Sequence, residues 1–189
     1  MKIKAIKMCN NTFETPGTAH VAQDGYLIDT GFEVILVDTG QRASHTGSTP
    51  QPNPHAHTRE CNQNYLRALH ALGYRPEQVT RIIVTHRQPC HTTALNCFPQ
   101  AKIYISAQEA EALKLSGSNI VIADYPQRYH DFARAQKVTD GIYYIEADGH
   151  EAGHNIVIIE DHGHHYMIHN DLTPYNPMSA DAHLPTSRH

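Results

Sequence analysis

The sequence predicts a mixed α/β protein in which two sheets pack together with helices outside. Three observations carry that expectation. Strand patterns crowd both ends of the chain, and helical patterns lie between them. The run Val34-Ile35-Leu36-Val37 is continuously apolar, as in a strand buried on both faces. Metal-ligand and acidic residues (Asp38, His86, Cys90, His91, Asp171) stand just past strand patterns, where open sheets commonly build sites.

Taken in order, Lys2 to Met8 alternates charged and apolar residues, which reads as a strand and not as a leader peptide. Gly25–Asp29 and Val34–Asp38 are strands joined as a hairpin across Thr30-Gly31-Phe32-Glu33. Residues 41–58 hold Pro50, Pro52, Pro54, His45, His55 and His57 with no periodicity, so a long loop able to act as a lid is expected there. A helix follows from about Glu60 to Leu72, with Tyr65, Leu66, Leu69 and Leu72 as its apolar stripe and Gly73 as its stop. Arg81–Val84 is the next strand. A short helix near Thr92–Cys97 and the strand Lys102–Ile105 come after it. Ser106 is placed to cap a helix reaching about Leu115, with Glu109 at the reciprocal position. A further helix is expected over Pro126–Gln136, then strands Ile142–Ile145, Asn155–Ile159 and Tyr166–His169.

A chain of 189 residues is expected to form one domain, 1–189. The formal net charge of −4 points to neither a nucleic-acid nor a membrane partner. No 18-residue apolar stretch suggests a transmembrane helix. The four cysteines are scattered without a CxxC pair, which fits a reducing cytoplasm better than a disulfide framework.

Sixteen histidines are a large excess, and histidine is a common ligand for zinc and its neighbours. The segment Thr85-His86-Arg87-Gln88-Pro89-Cys90-His91 carries three donors in a tight turn after a strand. Gly149-His150-Glu151-Ala152-Gly153-His154 lies between two strands, and Asp171 and Asp38 follow others. Together they supply the nitrogen, sulfur and carboxylate donors that zinc-class ions prefer. His162, His164, His165 and His169 crowd one hairpin. Alternation puts His164 and His165 on opposite faces, so a solvent-facing hairpin is weighed there against an additional metal site.

Five ordered segments resemble the metallo-β-lactamase superfamily, in its lactonase-like and glyoxalase-II-like branches, over about residues 20–175. They are Val34-Ile35-Leu36-Val37-Asp38-Thr39-Gly40, the run Gly73–Val79 leading into Ile82–His91, Phe98–Tyr104, Gly149–His154 and Asn170-Asp171. The resemblance implies a four-layer αββα sandwich, one or two zinc ions (iron or manganese being alternatives), and hydrolysis of an ester or lactone by metal-bound hydroxide. Carried over by position, His86 and His150 would bind the first metal, with Gln88 at its remaining histidine position. Cys90 would stand where an Asp binds the second metal and orients the attacking water, beside His91, and Asp171 would bridge both. Asp38 would orient a ligand histidine, and His154 would support the site from behind or serve structurally. Tyr175 is a candidate hydrogen-bond donor to a substrate carbonyl.

Two residues depart from the family motif. Gln88 offers only an amide, and Cys90 offers a thiolate in place of a carboxylate. The chain also stops 18 residues past Asp171, which leaves His183 as the candidate for the family's last metal histidine. The fold is therefore expected to be shortened at its C-terminus. The expected partner is a small-molecule substrate, with a homo-oligomer covering the shortened edge. The alternative reading is a non-catalytic or altered-metal relative that keeps the fold as a binding module.

Overall fold

A computed structural model describes residues 1–6, 12–15, 18–21, 25–40, 54–147 and 153–168; for 12–15, 18–21, 54–62 and Cys90 it describes the backbone alone. The chain divides into two compact units, Met1–Ile103 and Tyr104–His189.

The first unit contains β1 (Lys2–Ile6), β2 (Thr12–Thr15), β3 (Thr18–Val21), β4 (Gly25–Asp29), β5 (Val34–Val37), α1 (Pro54–Ala71), β6 (Val79–Ile83), α2 (Pro89–Thr92) and β7 (Lys102–Ile105), the last running across the unit boundary. Its main sheet has the order β1-β4-β5-β6-β7. β4 and β5 form the expected antiparallel hairpin, in the register Tyr26↔Val37 to Asp29↔Val34. β5 then runs parallel to β6. The apolar run of β5 is buried as its composition requires, with Ile35, Leu36 and Val37 fully enclosed beside Ile82 and Ile83 of β6. α1 lays Tyr65 and Leu69 into this core, and the Tyr65 ring meets Phe98 edge to face at 6.2 Å. Gly73, at φ 89°, ends the helix, and Lys4 Nζ donates to the Leu72 carbonyl at 3.1 Å.

The second unit contains α3 (Ala107–Ala112), β8 (Ile120–Ile122), β9 (Gln127–Tyr129), β10 (Phe132–Thr139), β11 (Ile142–Glu146), β12 (Asn155–Asp161) and β13 (His164–Ile168). β8 lies beside β7. The last five strands form an antiparallel sheet in the order β13-β12-β11-β10-β9. Ser106 caps α3 as expected, its Oγ accepting from Glu109 N at 3.3 Å.

Several expectations are corrected. Residues 126–136 are not helical. They form the β9–β10 hairpin, turned at His130 with φ 48°. Ala133, Arg134, Ala135 and Gln136 favour a helix when taken alone, but pairing of Ala135 with Ile145 and burial of Ala135 and Val138 override that preference. The helix expected from Glu60 begins at Pro54, where a missing N–H costs nothing in the first turn. The loop expected over 41–58 is therefore helical from Pro54, and 41–53 lies outside the described residues. In place of one helix over Thr92–Cys97, α2 covers Pro89–Thr92 and a 3-10 turn covers Leu95–Cys97. α3 stops at Ala112, with Lys114 turning left-handed at φ 53°. β13 begins two residues earlier than expected. The β2–β3 hairpin and β8 were not anticipated. Among the described residues, no helix is long and apolar enough to cross a membrane.

Candidate metal centre

The site is built where β5 and β6 end side by side. Asp38 terminates β5 by taking a left-handed conformation, φ 61°, which Asp tolerates better than a branched residue. Its backbone N–H donates to Ile83 O at 2.9 Å, tying the end of β5 to β6. Its carbonyl accepts from the Tyr65 hydroxyl at 2.8 Å, so α1 helps hold the turn. Gly25 of β4 passes so close that an added Cβ would sit 2.7 Å from Asp38 O and 2.9 Å from Val37 O, which leaves room for glycine alone.

The Asp38 side chain is completely buried, and three donors converge on it. Thr85 N donates to Oδ1 at 2.8 Å, Thr85 Oγ1 donates to Oδ2 at 2.7 Å, and His91 Nδ1 lies 2.8 Å from Oδ2. Burial alone would push this carboxyl up. The facing His91 charge and hydrogen bond, with the two bonds from Thr85, outweigh it and hold the carboxyl below the usual carboxylate range. Asp38 is therefore an ionised acceptor.

Proton counting then fixes the tautomer of two imidazoles. A carboxylate only accepts, so His91 Nδ1 must carry its hydrogen. The single Thr85 hydroxyl hydrogen is committed to Asp38, so Thr85 Oγ1 can only accept from His86 Nδ1, 3.1 Å away. Both rings thus carry hydrogen on Nδ1, so in the neutral form of each the lone pair is on Nε2. They lie with centroids 4.0 Å apart, and both are buried. The short helix α2 sets His91: its N–H donates to Gln88 O at 2.8 Å, and its carbonyl accepts from Thr39 N at 2.7 Å.

Of the residues expected at the site, Asp38, His86 and His91 come together. Gln88 caps the start of α2 at φ −57°, ψ 144°, half-buried, with its carbonyl accepting from His91 N and Thr92 Oγ1. Cys90 lies within α2, its side chain outside the described residues. His150, Asp171, Tyr175 and His183 also lie outside them. In the second unit, His154 is buried at the start of β12, and its carbonyl accepts from Ala147 N at 3.1 Å. Gly153, just before it, is held by Ser106 Oγ donating to its carbonyl at 3.1 Å. Sequence reasoning missed Thr85, Tyr65 and Gly25 as site residues. The only local signal was that Thr85 directly precedes His86 in the motif.

The chain matches no protein-family model and no curated protein. Among solved structures it is similar to a probable metal-dependent hydrolase from Staphylococcus aureus, at 16% identity and a TM-score of 0.54, covering 76% of this chain and 55% of that one. It is similar to a dizinc quorum-quenching lactonase in complex with its product, at 17% identity and a TM-score of 0.53, covering 76% and 54%. An N-acyl homoserine lactone hydrolase, with product at its catalytic metal centre, matches at 20% identity and a TM-score of 0.52, covering 82% and 65%. The chain spans about half the length of the first of these structures. The likeness is one of fold, which is metallo-β-lactamase-like.

Proposed function

We propose that this chain is a metal-dependent hydrolase acting on an ester or lactone bond, with a zinc-class ion held in part by Nε2 of His86 and Nε2 of His91. The observation that carries the reading is the Asp38 carboxylate, which sets the tautomer of both histidines, one directly and one through Thr85. Neutral imidazoles held by Nδ1–H hydrogen bonds are the form in which histidine binds zinc. The donors therefore fit such an ion. Gln88, Cys90, His150, Asp171 and His183 are the positions from which further ligands would come.

When bound, the ion supplies Lewis acidity toward a carbonyl oxygen and brings water's pKa toward neutrality. The protein's own contribution is preorganisation. Asp38 keeps a proton on His91 Nδ1, Thr85 keeps one on His86 Nδ1, and burial keeps water from competing behind the rings. Tyr175 and Cys90 are proposed to act on the substrate side, Tyr175 as a hydrogen-bond donor, and Asp171 to bridge two ions. The neighbours that act on lactones favour a lactone or ester substrate.

Elemental analysis of protein purified with zinc, iron or manganese supplementation tests the reading, alongside hydrolysis of simple esters and lactones. The wild type is expected to carry metal and to hydrolyse, and His86→Ala to lose both. Metal-free wild type after supplementation overturns the proposal. Metal without hydrolysis, with activity appearing only when Gln88→His is combined with Cys90→Asp, would instead establish a binding module on a disabled site.

A further inference from the structure

A second group of donors lies wholly within the second unit. The ligand atoms of His130, Glu160 and His165 all fall within 4.8 Å of one another. The β12–β13 register sets Glu160 directly opposite His165, and His165 Nε2 lies 3.2 Å from Glu160 Oε1. His130 arrives from far upstream in sequence, at the turn between β9 and β10. Its ring meets that of His165 edge on, with centroids 5.7 Å apart. This turn is anchored. Tyr129 packs into a cluster with Ala135, Ile145, Ile156 and Ile158, and its ring lies 4.2 Å from that of Tyr143. The Tyr129 hydroxyl donates to Glu160 Oε1 at 2.7 Å, joining the turn to β12.

We propose that His130, Glu160 and His165 bind a single divalent ion of the zinc class. Two imidazole nitrogens and one carboxylate oxygen select zinc and its transition-metal neighbours over calcium or magnesium, which take oxygen. Ligand bonds of about 2.0–2.1 Å in a tetrahedron put donors roughly 3.4 Å apart. From a spread of up to 4.8 Å, reaching that spacing takes an inward approach of about 1.4 Å, within the reach of side-chain rotation. The ends of β12 and β13 and the anchored turn would stay in place. The Tyr129 O–H bond to Glu160 supplies the outer contact that orients a ligating carboxylate. Water would complete the coordination on the exposed His130 side. The nearby cation Lys137 pairs with Asp140 at 2.7 Å and also feels the Glu160 charge.

Zinc titration of the full chain against a competing chelator tests this, and it separates this site from the one in the first unit. The wild type should bind one equivalent more than His130→Ala, His165→Ala or Glu160→Gln, or bind that equivalent at least about tenfold more tightly. His162→Ala, in the same hairpin, should match the wild type. The double variant His86→Ala with His91→Ala should keep this equivalent whether or not the proposed hydrolase site exists. His130→Ala and His165→Ala proteins that bind zinc as the wild type does would overturn the proposal. Should His165→Ala fail to fold, the exposed His130 variant still decides. NMR of unmodified protein gives an independent reading: zinc should perturb the His130 and His165 imidazoles, and perturbation confined to other histidines overturns the site.

Discussion

The two histidine pairs in this molecule are organised in opposite ways. His86 and His91 are buried, 4.0 Å apart, and share one ionised carboxylate that decides which nitrogen of each ring carries hydrogen. His130 is exposed and His165 half-buried, 5.7 Å apart, with Glu160 touching His165 alone among the two. In the first pair, rotamer and tautomer are set by folding. In the second, the half-buried His165–Glu160 contact orients one ring, and the ordering of His130 would be a cost of binding the proposed ion.

The sharpest way to break that contrast is Asp38→Asn. The amide must turn a donor toward either Thr85 N–H or the two donors at Oδ2, so the hydrogen-bond network has to rearrange. His91 can accommodate this by moving its hydrogen to Nε2, which removes the lone pair proposed to bind metal. Metal affinity should fall by about 10–100-fold, and stability by about 3 kcal/mol through broken buried hydrogen bonds to a charge. Calorimetry and metal titration read the two effects. Because folding depresses the Asp38 carboxyl, its stabilisation is present above the unfolded value of about 3.9 and is lost as pH falls through the folded value. Asp38→Asn should therefore lose that part of the acid sensitivity. Unchanged metal affinity in the variant would show that the carboxylate does not control the pair.

Next in size is Gly25→Ala. The new Cβ would press on two backbone carbonyls, which cannot swing away as a side-chain end can. The shift should cost about 1–3 kcal/mol and displace Asp38 along with it. A lowered Tm accompanied by weaker zinc binding is expected, and a lowered Tm with intact binding would confine Gly25 to packing. Tyr65→Phe is smaller. It leaves the Asp38 carbonyl without its hydroxyl donor, at about 1 kcal/mol. The comparable change in the second cluster, at the exposed His130→Ala, should leave thermal stability within about 0.5 kcal/mol.

What could be read from sequence follows the range of the forces involved. β5 was legible because four consecutive apolar residues admit little but a buried strand, and Ser106 because a cap acts within three residues. The β9–β10 hairpin was not, since Ala, Arg and Gln speak for a helix until β11 claims their backbone. Asp38, His86 and His91 were legible only through a motif. Thr85 and Tyr65 act on Asp38 from 47 and 27 positions away, and no local pattern announces such contacts. The crowd of histidines near Gly163 was visible, but its proposed partner His130 became visible only once the turn was placed over β12.

The smallest prediction sharpens the contrast by taking a carboxylate at the surface. Asp29 Oδ2 accepts from the Tyr74 hydroxyl at 2.7 Å, and Oδ1 accepts from Gly31 N at 2.8 Å. The Tyr74 bond first, then the Gly31 N–H, hold this carboxyl below its ordinary value against a slight opposing burial. As with Asp38, the sign is that of a depressed acid: its contribution is present above the unfolded value and fades as pH falls through the folded one. Solvent screens it, so the energy at stake is small. Tyr74→Phe should raise the Asp29 titration midpoint without returning it fully, because Gly31 still donates. The stability gap between the proteins should be widest at neutral pH and close in acid. An NMR titration that finds the same midpoint in both would mean that the Tyr74 bond is not kept in solution. The same experiment on Asp38 should find its midpoint below the ordinary value as well, there because the facing His91 and the Thr85 bonds outweigh burial.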